Sequence, residues 1–314
     1  MPSSTGLPLV SIALCTYNGE RYLAEQLESL LHQTHTNLDI RVFDDGSSDG
    51  TLAVLQTYAA RDPRIAIHTN VENLGYIRNF ELALQACPGE FIAMCDQDDI
   101  WHPEKIETLL AEIGDKLLIY SEVELMDQHG TPTSGRFPQV TRLEGHCALS
   151  LLLDNCVTGH ACLLRRDLLA QALPFPEGII AHDQWLAIVA AAQGGLKASG
   201  HVLSRYRQHA QNALLNKRKR EGQSRAARKT ARDARLARLA LAMKESGFFE
   251  GEDRELLEEL ATQLSRNTTL FYNYRLHGFL SAHSEKFLAL YTEPKKQIKK
   301  LCRGAWFYRL FPFG

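Results

Sequence analysis

Ile92-Ala93-Met94-Cys95-Asp96-Gln97-Asp98-Asp99-Ile100-Trp101 sets three carboxylates directly behind a short apolar run. An apolar run that ends in acids reads as a buried strand reaching an open edge. Side chains alternate faces along a strand, so Asp96 and Asp98 are expected to point the same way. Two carboxylates on one side repel each other unless a positive charge lies between them. A hard divalent cation is the natural guest, since it prefers oxygen ligands and often brings phosphates with it. The plainer alternative is a solvated acidic turn capping a helix that begins at Pro103. An Asp-x-Asp alone is common by chance, so the rest of the chain has to separate the two readings.

Outward from this stretch, strand and helix alternate. Leu9 to Cys15 is almost wholly apolar and suits a strand buried on both faces. Leu23, Leu27, Leu30 and Leu31 recur at helical spacing. Ile40 to Phe43 is a second strand, stopped by Asp44-Asp45-Gly46-Ser47-Ser48-Asp49-Gly50, a turn rich in helix-capping residues. Leu52 and Leu55 continue a helix, Arg64 to His68 is a third strand, and Ile77, Phe80 and Leu84 mark the next helix. After the fourth strand, Phe91 to Cys95, a helix lined by Ile106, Leu109, Leu110 and Ile113 starts at Pro103, and Leu117 to Tyr120 is a further strand. Regular alternation predicts an α/β fold with a parallel sheet covered by helices on both faces. Ligands bind such sheets beyond the carboxyl ends of the strands, where strand order reverses. Thr16-Tyr17-Asn18, Asp44-Asp45 and Asp96 to Asp99 all follow strands, so three segments are expected on one rim. A G-x-G-x-x-G after the first strand and a G-x-x-x-x-G-K-[ST] are both missing, which argues against a nicotinamide oxidoreductase and a P-loop nucleotide hydrolase.

A chain of 314 residues accommodates one large domain with an appendage, or two domains. Its composition is that of a soluble globular protein. The seven cysteines are odd in number, scattered and free of any C-x-x-C pair, which predicts reduced core thiols in a cytosolic protein. The first apolar run is too short for a secretory signal, and no run reaches the ~18 apolar residues a transmembrane helix needs. Membrane contact is therefore expected to be peripheral.

Val10-Ser11-Ile12-Ala13-Leu14-Cys15-Thr16-Tyr17-Asn18-Gly19, Asp44-Asp45-Gly46-Ser47-Ser48-Asp49-Gly50-Thr51, Asn73-Leu74-Gly75 and Asp96-Gln97-Asp98-Asp99, in this order and spacing, resemble the family 2 glycosyltransferases. The resemblance covers roughly residues 8 to 212. It implies the GT-A fold: a Rossmann-like, mostly parallel sheet with helices on both faces, a nucleotide-sugar half (about 8–125) and an acceptor half (about 126–214). It also implies a nucleotide-diphosphate sugar donor, a divalent metal (Mn2+ or Mg2+) and inversion at the anomeric carbon. Thr16, Tyr17 and Asn18 would line the nucleoside pocket. Asp44 would accept the pyrimidine N3–H, which cytosine lacks; its alternative is a helix-capping turn acid. Asn73 and Gly75 form a turn close to the ligand, where glycine permits an unusual backbone angle. Arg78 faces the diphosphate or is simply solvated. The resemblance places Asp96 on the ribose side, Gln97 with the donor-binding residues and Asp98 as metal ligand. Asp99 would assist either acid or bind sugar. Trp101 walls the donor pocket or fills the core.

Displacement at a sugar carbon requires a proton to leave the attacking hydroxyl. Asp183, in Ala181-His182-Asp183-Gln184-Trp185-Leu186, is the expected base, with helix capping as the alternative. His182 stands where relatives more often carry glutamate. Trp185 would stack on an acceptor sugar or fill the core. Gly159 would let an acceptor approach the backbone, and His160 reads as a structural histidine. In Tyr206-Arg207-Gln208-His209, Arg207 would bind phosphate bidentately, and His209 would complete the metal sphere with Asp98 and Asp96, touch phosphate, or lie free on the surface.

From residue 215 to 314 the chain changes character. Lys217 to Arg238 is basic and alanine-rich, which favours a helix. A solvated linker, a nucleic-acid-binding helix and an anionic membrane surface all suit it. Lys295-Lys296-Gln297-Ile298-Lys299-Lys300-Leu301 followed by Trp306-Phe307-Tyr308-Arg309-Leu310-Phe311-Pro312-Phe313 tips the choice to a membrane anchor, with no nucleic acid partner. Glu255 to Leu270 is a further expected helix. The expectation is thus an inverting, metal-dependent transferase working peripherally on the cytoplasmic face of the plasma membrane, on a glycan or lipid-linked acceptor in O-antigen, capsule or exopolysaccharide assembly. The Asp-Gln-Asp-Asp-Ile-Trp and His-Asp-Gln-Trp stretches resemble the rhamnosyltransferase-like branch, implying dTDP-L-rhamnose; UDP-glucose, UDP-galactose or UDP-GlcNAc donors, or a catalytically silent nucleotide-binding membrane scaffold, are the alternatives.

Overall fold

The chain's computed structural model describes residues 6–210, 224–266 and 272–303. All seven residues of β1 (Val10–Thr16) are buried, as a strand covered on both faces requires. Helices α1 (Glu20–Leu31), α2 (Thr51–Arg61) and α3 (Tyr76–Ala86) return the chain between β1, β2 (Leu38–Asp44), β3 (Ile65–Thr69) and β4 (Phe91–Cys95). These four strands run parallel in the order β3-β2-β1-β4. Leu23, Leu27 and Leu30 of α1 close over Ile12, Leu14, Ile40 and Val42 in one apolar core.

The sheet continues with strands of mixed direction. β5 (Ile100–Trp101), α4 (Lys105–Ile113), β6 (Leu118–Met126), β7 (Pro132–Phe137), β8 (Cys162–Arg165), α5 (Arg166–Ala172) and β9 (Leu196–Arg207) complete it. β8 is antiparallel to both β4 and β6, β9 is parallel to β6, and β5 is antiparallel to β9. Among the described residues the order is β3-β2-β1-β4-β8-β6-β9-β5, with β7 on β6. Strand order reverses at β1, whose neighbours are β2 and β4. Thr16 is in register with Asp44, and Leu14 with Cys95, so the carboxyl ends of β1, β2 and β4 share one rim.

Among the described residues this sheet unit comprises 6–138, 157–174 and 195–209. The second unit comprises, of the described residues, 139–156, 175–194, 210, 224–266 and 272–303. It holds the short 3-10 turn Ser150–Leu152, α6 (His182–Ala192), α7 (Arg225–Glu245), α8 (Gly251–Ser265), α9 (Tyr274–Ala282), α10 (Ser284–Phe287) and α11 (Pro294–Cys302). This interleaved grouping differs from the division at residues 214 and 215 expected from composition. The reason is packing: the Ser150 hydroxyl donates to the Lys286 carbonyl at 2.6 Å, and the Thr141 amide to the Leu290 carbonyl at 2.9 Å.

Helix α7 begins at an N-cap, where Ser224 Oγ accepts from the Ala227 amide. It is more than a solvated linker: Leu236, Leu239, Ala240 and Met243 are buried, and Lys229 pairs with Asp233 inside the same unit. Lys217 to Arg220, and Trp306 to Phe313 of the expected anchor, lie outside the described residues. Among the described residues, no helix is long and apolar enough to cross a membrane.

Candidate active site

At the end of β2, Asp44 is fully buried. Its Oδ1 accepts from Thr16 Oγ1 at 2.9 Å and Ser47 Oγ at 2.5 Å, and its Oδ2 accepts from the Ser47 amide at 2.9 Å. A carboxylate accepts about four hydrogen bonds, so one lone pair on Oδ2 remains for a further donor. Asn18 takes the left-handed region at φ 48°, which asparagine tolerates better than most residues. Its Oδ1 accepts from the Ser48 amide at 2.8 Å, pinning the end of β1 to the turn after β2. Tyr17 is half exposed beside it.

Gln97 acts between strands. Its Oε1 accepts from the Tyr17 amide at 2.8 Å and its Nε2 donates to the Tyr17 carbonyl at 3.0 Å. Both ends of the side chain are engaged by backbone, so Gln97 holds the ends of β1 and β4 together rather than taking the direct donor-binding role expected for it. Asp45 does similar work: Oδ1 accepts from the Leu74 amide and Asn70 Nδ2, and Oδ2 from the Gly75 amide, each at 2.9 Å. Asn73 Nδ2 donates to the Asp45 carbonyl at 3.1 Å. Gly75 has φ 81°, a conformation open chiefly to glycine. The Asn73-Leu74-Gly75 turn is thus folded onto Asp45. Arg78 is ion-paired with Glu81 at 2.7 Å.

Asp98 and His209 meet. The Asp98 Oδ2 to His209 Nε2 distance is 2.7 Å, and both side chains are nearly buried. Burial pushes the Asp98 carboxyl above its ordinary value, and the His209 hydrogen bond opposes that shift. The Tyr22 ring packs on the His209 ring, centroids 4.7 Å apart, and the Arg207 guanidinium carbon stands 4.6 Å from the Tyr22 centroid. Asp96 is partly buried at the mouth of the same turn. Among the described residues, no three His, Cys, Asp or Glu side chains gather closely enough to hold a metal by themselves.

Asp99, Arg207 and Gly159 do not take the roles expected for them. Asp99 is completely buried: Oδ2 is ion-paired with His160 Nδ1 at 2.7 Å, and Oδ1 accepts from the Arg207 amide at 3.0 Å. It faces the interior because it lies one residue past Asp98, and its carboxylate is engaged by protein on both oxygens. Arg207 is also completely buried, its Nε donating to the Asp98 carbonyl at 2.8 Å and its Nη2 bound to Glu25 at 2.7 Å. Its fork is occupied by protein, so it braces the Asp98 turn instead of clasping phosphate. Burial disfavours charge on His160, and Asp99 more than reverses that, so the imidazole pKa moves up. Lys105, fully buried, donates to the His160 carbonyl and stands 3.3 Å from the Trp101 ring centroid. Gly159 is buried in the 3-10 turn that carries His160, and so offers no surface to an acceptor.

In the second unit, Asp183 sits in the first turn of α6, where its Oδ1 accepts from the Gln184 amide at 2.6 Å. His182 is buried, and burial lowers its pKa. Trp185 is 3 % exposed and part of the core, which corrects the stacking role considered for it. Sequence reasoning missed Tyr22, Glu25 and Lys105. Tyr22 and Glu25 look like ordinary positions of an amphipathic helix, and Glu25 meets Arg207 across 182 residues, which no local spacing reveals.

A mixed, mostly parallel sheet with an acidic rim at its reversal point is the GT-A architecture. Staphylococcus aureus TarS (residues 1–349, in complex with UDP-GlcNAc) superposes with a TM-score of 0.61 at 17 % identity, covering 94 % of this chain and 84 % of that one. The mannosyltransferase PcManGT from Pyrobaculum calidifontis, in complex with GDP-Man and Mn2+, gives 0.53 at 15 % identity, covering 99 % and 89 %. Residues 11–171, just over half of the chain, match the family described as Glycosyl transferase family 2, and the chain belongs to that family. Among curated relatives, Escherichia coli WfgD, a UDP-Glc:alpha-D-GlcNAc-diphosphoundecaprenol beta-1,3-glucosyltransferase, is 28 % identical over 67 % of this chain and 81 % of its own length. A putative teichuronic acid biosynthesis glycosyltransferase of Bacillus subtilis, TuaG, is 32 % identical over 48 % of this chain and 61 % of its own. A Haemophilus influenzae glycosyltransferase is 42 % identical, but the match spans only 32 % of that protein.

Proposed function

We propose that this chain is an inverting glycosyltransferase that moves a sugar from a nucleotide-diphosphate donor to a glycan or lipid-linked acceptor of the cell surface. The observation that carries the reading is the Asp98–His209 pair at the carboxyl end of β4, on the same rim as Asp44. Two side chains are few for a protein-only metal cage, but they suit an ion whose remaining ligands are phosphate oxygens and water. Asp98 and His209 would hold Mn2+ or Mg2+, which when bound supplies Lewis-acid neutralisation of the departing diphosphate. Asp44 offers its remaining lone pair to a pyrimidine N3–H, and Asn18 and Tyr17 shape the nucleoside end. Arg207 and Asp99 keep the Asp98 turn in place.

In the transfer, the acceptor hydroxyl forms its bond to the anomeric carbon as the bond to the diphosphate oxygen breaks. The diphosphate leaves with the electron pair and the hydroxyl proton passes to the Asp183 carboxylate. WfgD is named for UDP-Glc, TarS was solved with UDP-GlcNAc and PcManGT with GDP-Man, and dTDP-L-rhamnose, expected from sequence, accompanies none of these three. A UDP-linked donor is accordingly the better supported choice. The lipid diphosphate in WfgD's name and the exposed Lys295, Lys296, Lys299 and Lys300 of α11 support peripheral attachment to an anionic cytoplasmic membrane surface.

The test is a screen of UDP-, dTDP- and GDP-linked sugars with purified protein and Mn2+ or Mg2+, scored by nucleotide release. Release from one UDP-sugar, abolished by chelator, is the expected result. Asp183→Asn should abolish transfer and leave donor binding intact; unchanged turnover would reject Asp183 as the base.

A further inference from the structure

We propose that the sheet unit carries a second carbohydrate site, a cleft of about 970 Å3 that binds a neutral stretch of the glycan apart from the donor rim. The inference rests on the proposed transferase reading for its choice of ligand. The cleft opens between α1 and the β5–β9 and β6–β7 strands, and none of Thr16, Asp44, Asp96, Asp98 or His209 lines it. Its volume is at the upper end of the range for small-molecule sites.

The lining favours hydroxyl groups over charge. Glu25, Glu28 and Glu124 face it against the single guanidinium of Arg205. Each carboxylate already has a guanidinium partner (Arg207 for Glu25, Arg61 for Glu28, Arg205 for Glu124), so no unpaired cation is left for a uronate or phosphate, while planar carboxylate and guanidinium groups bond well to paired sugar hydroxyls. These groups are already ordered: Glu124 is held by Arg205 at 3.2 Å, Glu25 by Arg207 at 2.7 Å, and Glu28 accepts from Tyr58 at 2.8 Å. Ordered side chains lose little entropy on binding. The same wall includes Trp101 and Ser204, each 2 % exposed, whose indole Nε1–H and hydroxyl have no partner in the protein. Both atoms are shielded from solvent, and a ligand hydroxyl that reached them after a small side-chain shift would supply the missing acceptor. Glu25 also links the cleft to the catalytic side, because its partner Arg207 donates to the Asp98 carbonyl. A glycan held here would lie against the brace of the metal-binding turn.

The full-length protein would be titrated with cellotetraose, chitotetraose and isomaltotetraose, and with tetragalacturonate, by saturation-transfer NMR and calorimetry. The same titrations would be run on the double variant Glu124→Gln/Arg205→Met. Thr133→Trp, an exposed position of β7 that also lines the cleft, blocks it sterically without touching the pair. At least one neutral tetrasaccharide should bind, about tenfold or more weaker in either variant, with tetragalacturonate silent. The inference is overturned if no neutral tetrasaccharide binds, if the variants bind as wild type does, or if tetragalacturonate binds equally well. Thermal shift by UDP and Mn2+, read in parallel, should be unchanged in the variants. Its loss from wild type would strike the transferase reading alone.

Discussion

Burial separates Asp98 from its neighbour Asp99. One carboxylate sits at the rim against an imidazole, and the other lies in the interior between His160 and the Arg207 backbone. Beneath them, Lys105 is the cation least at home, since burial lowers its pKa to about 7. The sign follows from proton counts. Between about pH 7 and pH 10 the unfolded lysine holds a proton that the folded one has lost, so stability rises with pH across that window. Stability contributed by the neutral form is lost as pH falls toward 7. Lys105→Met should remove this dependence: relative to the variant, the wild type should lose about 1.4 kcal/mol per pH unit on going down from pH 9 to pH 7.5. Urea midpoints at pH 7.5, 8 and 9 read it. Parallel curves for the two proteins would mean that Lys105 stays protonated throughout.

Elements, more than single residues, were legible in the sequence. The strand–helix alternation from β1 to β4 follows from runs such as Val10 to Cys15 and the leucines of α1, because β1 and β4 are covered on both faces. The rim followed too, since Thr16, Asp44 and Asp96 each come directly after an apolar run. The direction of β8 did not follow, because a strand of four residues carries no record of its partner's orientation. Nor did the work of Gln97 and Asp45, whose carboxylate or amide binds main chain, a role that leaves no residue-type signature at the other end. Asp45 gives the sharpest test at this scale. Asp45→Ala leaves the Leu74 and Gly75 amides and Asn70 Nδ2 without their acceptor, and should cost about 3 kcal/mol in chemical denaturation. It should also raise amide exchange in residues 70–75. A loss under ~0.5 kcal/mol would show that water replaces the carboxylate at no cost.

At the scale of the molecule, the second unit gathers segments that are far apart in the chain. The Ser150–Leu152 turn packs on α6, α7 and α10, and Leu151 and Leu152 are fully buried there. Composition marks residue 215 as a border because arginine and lysine become dense, yet the apolar side chains of α6 and of that turn need the later helices. A chain cut after residue 214 should therefore be insoluble or bind a hydrophobic dye, whereas cutting the sequence by composition alone would leave a folded, soluble transferase half. Expression and size-exclusion chromatography of the shortened protein decide between them.

The central claim is that the rim at the ends of β1, β2 and β4 receives a cation and a nucleotide diphosphate together. A crystal soaked with UDP and MnCl2, measured at an X-ray energy where manganese scatters anomalously, tests it most directly. The expected result is an anomalous peak about 2.1 Å from an Asp98 carboxylate oxygen and from the diphosphate, with uracil N3 beside Asp44. Manganese bound elsewhere, or UDP bound at the rim with Asp98 and His209 still joined and no metal between them, would contradict it.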